Sequence, residues 1–132
     1  MAAAVISLGA SHIILPEEYL QCSPGTRVRL VARLSEYNAQ QDMAIVVDPD
    51  ETRGSSLRIR VHTKMLHSTR SLGELGSLLN VLGSIEEDQT GTRVIKATTC
   101  HEVDGLDVDL WRRALLKRRE FLLAAASDPS AM

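Results

Sequence analysis

The spacing of apolar residues changes its period once along this chain, and that change limits the possible folds more than any other feature. Between about residues 26 and 103, apolar and polar residues alternate in several short runs, whereas apolar residues recur every three or four positions from 106 to 126. Alternation predicts strands with one buried face, and the longer period predicts an amphipathic helix. The sequence therefore predicts an all-β domain with a C-terminal helix.

Five runs have the pattern of strands. In the first, inward residues Val28, Leu30, Ala32 and Leu34 alternate with outward residues Arg27, Arg29, Val31 and Arg33. The other four runs are MAIVVD, LRIRVHTKM, SLLNVLGSI and RVIKATTCHEV, and the polar segments YNAQQD, DPDETRGSS and EEDQTGT predict turns or loops. Gly83 lies inside the fourth run, where a glycine predicts a bulge or a tight bend.

A short connector separates the third run from the fourth. Ser71 and Glu74 have the spacing of a capping box, and Gly73 and Gly76 limit any helix there to about one turn. Three strands, a connector, two strands and a helix form the element order of a five-stranded OB-fold (oligonucleotide/oligosaccharide-binding) barrel. Barrels of the SH3 or Sm type also have about five strands, but a long terminal helix is less usual for them.

The chain divides into four predicted parts. They are an N-terminal arm (1–26) ending in a turn at Ser23–Gly25, the OB barrel (27–105), the C-terminal helix (106–126) and a tail (127–132). Fifteen basic against seventeen acidic residues give a net charge of −2, which argues against a domain that works mainly by gripping phosphates. No signal peptide and no apolar run of about 20 residues is evident, so we expect a soluble intracellular protein without a membrane segment.

Candidate reactive or metal-binding residues are few. Cys22 and Cys100 are too far apart for a disulfide framework and are expected to be reduced and inert. His62 with His67, and Cys100 with His101, do not have the spacing of zinc ligands. No phosphate-binding loop, nucleophile elbow or carboxylate pair is present. We therefore predict no metal, no cofactor and no catalytic residue, so the protein is not expected to be an enzyme.

The terminal helix carries apolar residues on more than one side. Val108, Trp111, Ala114, Leu115 and Leu122 are predicted to face the barrel, whereas Leu116, Phe121 and Leu123 spread around the cylinder. Such a helix predicts a partner that covers the second side, although Leu116 and Leu123 could also be ordinary surface leucines. The predicted anchors for a partner are Trp111, which could instead turn into the barrel, Leu115, Arg118, Phe121 and Leu122.

A second candidate surface is basic. It comprises Arg27, Arg29, Arg33, Arg58 and Arg60 on the outer faces of the first and third strands, with Tyr37 at their turn. Arginines beside an aromatic ring are typical of weak single-stranded DNA binding, through backbone contacts and one stacked base. The alternative is a solvated strand face whose arginines pair with neighbouring acids.

An ordered set of short motifs resembles a known family. LPEEYLQCSPGTRVRLVARLSEY is similar to the start of the Ten subunit family, the smallest subunit of the CST telomere-capping complex. The similarity extends through most of residues 15–123, and its matching positions are Val61, Thr63, Lys64, Gly76, Ser77, Leu78, Val81, Leu82, Gly83, Val94, Ile95, Lys96, Ala97, Cys100, Ala114, Leu115 and Phe121. Ala32 and Trp111 depart from the family pattern, and residues 1–14 have no evident counterpart.

The resemblance implies a single OB barrel that pairs with a Stn-type OB subunit through its terminal helix. It also implies a complex with the large CST subunit, telomeric single-stranded DNA as ligand, and a role in end protection and telomere replication in the nucleus. The alternative is the smallest subunit of replication protein A, acting in general DNA replication and repair. A small-barrel hydrolase is a further rival, which would need a cleft of titrating residues that the sequence does not contain.

Overall fold

The alternating runs form the strands of a computed structural model that describes residues 12–50, 57–66 and 72–127. The strands are β1 His12–Ile13, β2 Arg27–Asn38, β3 Met43–Val47, β4 Arg58–His62, β5 Leu78–Glu87 and β6 Arg93–Glu102. A 3₁₀ helix spans Pro16–Gln21, and the C-terminal helix α1 spans Val108–Ser127. The predicted strands and the terminal helix are all present.

The five long strands close into a barrel around β2. The first half of β2 pairs antiparallel with β5, and its second half pairs antiparallel with β3. Strand β4 follows β3, and a short parallel pairing of β4 with β6 completes the ring. Together with α1, this arrangement confirms the predicted five-stranded OB barrel with a C-terminal helix.

Inward-facing aliphatic side chains fill the barrel. Leu30, Ile59 and Ile95 come from three different strands, and each is 0% exposed. The strand register shifts between Leu82 and Gly83, which confirms the predicted bulge. A Cβ atom at Gly83 would lie 2.3 Å from the backbone oxygen of Lys96, so only glycine allows β5 and β6 to approach this closely.

On β2, the outward direction of Val31 is confirmed, whereas the predicted place of Tyr37 is wrong. Val31 points away from the barrel interior as predicted, but it is only 3% exposed because α1 and the start of the 3₁₀ helix lie over it. Tyr37 lies inside β2 rather than in the following turn, and its ring packs against the core. A register shift after Leu34 changes which face each residue presents and sets Tyr37 opposite Ala44, which points into the core.

From residue 12 onward, the N-terminal arm has more regular structure than its sequence pattern predicted. Strand β1 pairs in parallel with β2, and Pro16 occupies the first turn of the 3₁₀ helix, where its missing N–H is not needed. The turn predicted at Ser23–Gly25 is confirmed, because Gly25 has φ +90° and Thr26 N donates to Ser23 O over 3.1 Å. Ser71 of the predicted capping box lies outside the described residues.

In the connector, the backbone amide of Glu74 donates instead to the hydroxyl of Ser77, at 3.0 Å. Gly73 and Gly76 both have positive φ, which agrees with a turn in place of a helix. Across residues 12–50, 57–66 and 72–127, no helix has both the length and the hydropathy needed to span a membrane.

Candidate functional site

The start of α1 is fixed by Asp107. Its carboxylate accepts a hydrogen bond from the backbone amide of Leu110 at 3.1 Å, and its backbone oxygen accepts one from the amide of Trp111 at 2.9 Å. This is the geometry of an N-cap, and the negative charge also suits the positive end of the helix. The helix therefore begins shortly after β6, and its first residues lie close to Val31 on the outer face of β2.

Among the described side chains of α1, those that pack on the rest of the protein lie on one narrow side of the helix. Leu115 is 7% exposed, and Val108 and Trp111 are half-buried. The crevice beneath the helix is lined by Val108 and Trp111 together with Leu15, Pro16, Val31, Asp48, Pro49, Asp50, Asp109 and Arg112. Ala114 and Leu122 were predicted to face the barrel, and that prediction is wrong because both are exposed.

The rest of the helix presents large apolar side chains to solvent. We call these exposed residues together the helix patch: Leu110 (55% exposed), Leu116 (43%), Phe121 (73%), Leu122 (40%) and Leu123 (51%). The patch covers more than one side of α1, with Leu110 and Phe121 on one side and Leu116 and Leu123 on another. Leu115 and Leu122 are seven residues apart and therefore lie on the same side of α1. Because only Leu115 is buried, the cover given by the barrel ends before Leu122. The prediction that α1 has more apolar surface than its own barrel covers is confirmed.

The five predicted anchors thus fall into two groups. Leu115 and much of Trp111 are occupied by contacts within the chain, whereas Arg118, Phe121 and Leu122 are exposed. The first group holds α1 on the barrel, and the second is available to another molecule. Leu110 was absent from the predicted anchors, although it lies eleven residues before Phe121 and hence on the same side of the helix.

Two ion pairs join α1 to the N-terminal arm, and we call them the arm brace. The guanidinium of Arg112 pairs with the carboxylate of Glu17 through two hydrogen bonds. Arg119 donates to the carboxylate of Glu18 at 2.7 and 2.8 Å and to the backbone oxygen of Ile13 at 2.7 Å. Sequence reasoning missed these four side chains, because the pairs connect residues 95 and 101 positions apart.

The environment of Glu18 favours its charged form. Partial burial raises the pKa of this carboxyl, but hydrogen bonds from Arg119 and from the backbone amide of Leu15, together with the positive charge of Arg119, lower it by more. The net result is a pKa below the usual value for glutamate. The Leu15 amide, at the start of the 3₁₀ helix, has no partner within that helix, and the carboxylate of Glu18 satisfies it at 2.8 Å. Glu18 therefore caps the 3₁₀ helix and also binds Arg119 of α1.

The predicted basic surface is divided by the structure. Arg58 pairs with Glu36, and Arg60 lies 3.6 Å from Asp88. Arg33 donates to the backbone oxygen of Gly76 at 2.7 Å. Arg27 and Arg29 are exposed, and neither has an ion pair within the described ranges. The salt-bridged alternative therefore describes β4, while β2 keeps two exposed cations close together.

The thiols are buried and separate. Burial raises the pKa of Cys100 to about 12, and burial also raises the pKa of Cys22 with a contribution from the charge of Glu18. A thiol with such a pKa has almost no reactive thiolate at neutral pH. In the part of the chain that the structure describes, no three histidine, cysteine, aspartate or glutamate side chains group together as metal ligands would.

Comparison with protein families identifies one match. A family model described as a telomere-capping CST complex subunit, Ten1_2, matches residues 7–125. The match begins earlier than residue 15, so part of the segment predicted to lack a counterpart has one. A search of curated proteins finds no match.

Comparison with solved structures supports the barrel fold described above. A chain in the crystal structure of the S. pombe Stn1–Ten1 complex is 13% identical, with a TM-score of 0.69 over 86% of this chain and 96% of that chain. The telomere-capping protein Ten1 from S. pombe is 14% identical, with a TM-score of 0.68 over 84% and 99%. The hypothetical protein ygiW from E. coli is 18% identical, with a TM-score of 0.50 over 74% and 94%.

Proposed function

The chain belongs to the telomere-capping family of CST complex subunits, and we propose from this premise that it is a non-catalytic OB-fold subunit that forms a heterodimer with a Stn-type OB subunit. In this role it joins the large CST subunit, supports telomere end protection and replication, and acts in the nucleus at chromosome ends. The smallest subunit of replication protein A is not favoured, because the matching family is that of the CST complex.

The observation that carries the heterodimer proposal is the helix patch. Five large apolar side chains are exposed on this one helix. Exposed apolar clusters promote association with another protein, and a monomeric protein seldom keeps them. The S. pombe relative with the same fold was crystallised as a Stn1–Ten1 complex. We infer that a Stn-type subunit covers the helix patch and that Phe121, the most exposed of its members, is the central anchor.

The test is the binding of a purified Stn-type subunit by Phe121→Ala. Truncation of a central aromatic anchor costs about 2 kcal/mol or more, which is roughly a 30-fold loss of affinity. Because Phe121 is 73% exposed, the variant should unfold at the same denaturant concentration as the wild type. The matched control is Leu75→Ala, which removes a 66% exposed apolar side chain from the connector and should not change binding. Equal affinity of Phe121→Ala and wild type would refute the role of the patch.

We propose a second, weaker contact with single-stranded DNA at Arg27 and Arg29. Support comes from their exposure and from the absence of ion pairs to them among the described residues. Arg33, Arg58 and Arg60 have partners within the chain, and Tyr37 packs against the core, so these four are less available than predicted. Two exposed cations without an ion pair to any described residue, on a chain with net charge −2, suit weak DNA binding that contributes within a complex.

A salt titration of DNA binding by the heterodimer tests this contact. Each phosphate contact with a single strand contributes about 0.7 to the slope of log K against log salt. The double variant Arg27→Ala/Arg29→Ala should lower the slope by about 1.4 and weaken binding. The control Arg58→Ala removes an arginine that is already paired and should leave the slope unchanged. An unchanged slope in the double variant would show that DNA does not contact this part of β2.

A further inference from the structure

We propose that Glu17 and Glu18 are positioning residues for partner binding: through the arm brace they hold α1 at the angle at which the helix patch meets the Stn-type subunit. This inference rests on the proposed function, and it assigns a role to residues that lie outside the patch itself. It concerns how α1 is oriented, because the contacts of the patch alone do not fix that orientation.

The first support is the weakness of the other contacts between α1 and the barrel. Leu115 is the only fully buried residue among those of α1 whose side chains are described. Val108 and Trp111 add half-buried contacts near the start of the helix. Apolar contacts are not directional, so a few of them leave the helix free to rotate and tilt. The second half of α1 carries most of the patch and has the least apolar support.

The second support is the geometry of the arm brace. Arg112 and Arg119 are seven residues apart and lie on one side of α1, and their partners Glu17 and Glu18 are adjacent. Each arginine engages its carboxylate through two parallel hydrogen bonds, an arrangement that fixes direction as well as distance. Two such pairs, two turns apart, define both the tilt and the rotation of the helix.

The third support is the anchoring of the arm. Strand β1 pairs with β2, and the amide of Ile14 donates to Arg29 O at 2.9 Å. Tyr19, one residue after Glu18, is 2% exposed and belongs to the core cluster. The glutamates therefore stand on a segment fixed to the barrel on both sides. Through Arg119, the arm brace fixes the position of the part of α1 that carries Phe121, Leu122 and Leu123.

The experiment reverses one pair and then restores it. Glu17→Arg and Arg112→Glu each place like charges together, and the double variant restores an opposite-charge pair. Two measurements are made: affinity for the Stn-type subunit, and the distance distribution between spin labels on Ala39→Cys in the β2–β3 turn and Ala125→Cys on α1. If each single variant leaves about a tenth of the molecules with a correctly placed helix, apparent affinity falls about tenfold. The double variant should recover both the affinity and a narrow distance distribution.

Matched controls distinguish an effect on the position of α1 from a general effect of charge or a failure to fold. Glu87→Gln removes an exposed carboxylate at the end of β5 and should change neither measurement. Glu18→Gln repeats the test without a reversed charge, should Arg112→Glu fail to fold. Single variants that bind like wild type, or a double variant that stays as weak as the single ones, overturn the proposal. If the wild type itself does not bind, the proposed function fails, and the distance distributions still decide whether the brace orients α1.

Discussion

The barrel and α1 are stabilised in opposite ways. In the barrel, side chains from five strands meet in a core where Leu30, Ile59 and Ile95 are 0% exposed. Among the side chains of α1 that the structure describes, one is buried and five large apolar ones are exposed. The barrel strands therefore bury their inward apolar side chains within the chain, whereas α1 leaves most of its large apolar side chains exposed. The difference shows that the strands provide the buried core, and it supports the proposal that α1 binds a partner.

The largest effect is expected for a core residue of the barrel. Leu30→Ala removes a fully buried side chain from β2 and should lower the free energy of unfolding by about 3 kcal/mol. The matched change on the helix, Leu116→Ala, should lower it by less than about 0.5 kcal/mol, because surface substitutions seldom do more. Denaturant unfolding of both variants measures the contrast. Similar losses in the two would show that α1 is part of the stabilising core.

A smaller loss is expected where β5 and β6 approach most closely. Gly83→Ala places a Cβ 2.3 Å from the backbone oxygen of Lys96, so the strands must separate, at a cost of about 2 kcal/mol. Gly105→Ala is the control, because a Cβ there meets nothing within 4 Å and its φ is not positive. Thermal unfolding of the two variants makes the comparison. If Gly83→Ala is as stable as Gly105→Ala, the tight bulge is not a requirement of the barrel.

A still smaller effect should depend on pH. Because the pKa of Glu18 is lower in the folded chain than its usual value of about 4.3, its stabilising contribution is complete above that value and is lost as the pH falls through the lowered pKa. Glu18→Gln cannot lose this contribution. The stability difference between wild type and Glu18→Gln should therefore shrink between pH 7 and pH 3. A difference that is constant with pH would contradict the ionic nature of this half of the brace.

Local periodicity was sufficient to predict the barrel. Alternation located the strands, and Gly83 marked the bulge, because both signals lie within a few neighbouring residues. The same reasoning put Val31 on the correct face but did not show that α1 covers it, and it misplaced Tyr37, since cover by α1 and a register shift in β2 are properties of the assembled fold.

The candidate site was only partly predictable for the same reason. Helical spacing identified Phe121 and Leu122 as surplus apolar residues, but it could not tell that Leu115 is covered while Leu122 is not. The arm brace joins residues about 100 positions apart, and a single sequence does not pair them. The only local signals were an adjacent acidic pair and two arginines at a spacing of seven.

The reactivity of single engineered thiols tests the central claim most directly. Cys22 and Cys100 are buried, so the wild type offers a low background. Ala114→Cys lies on the same side of α1 as Leu110 and Phe121, and Ala39→Cys lies in the distant β2–β3 turn; both positions are exposed. In the free chain both thiols should react rapidly with an aromatic disulfide reagent. Addition of the Stn-type subunit should protect only Ala114→Cys, whereas equal reaction rates of this thiol with and without the partner would contradict the account.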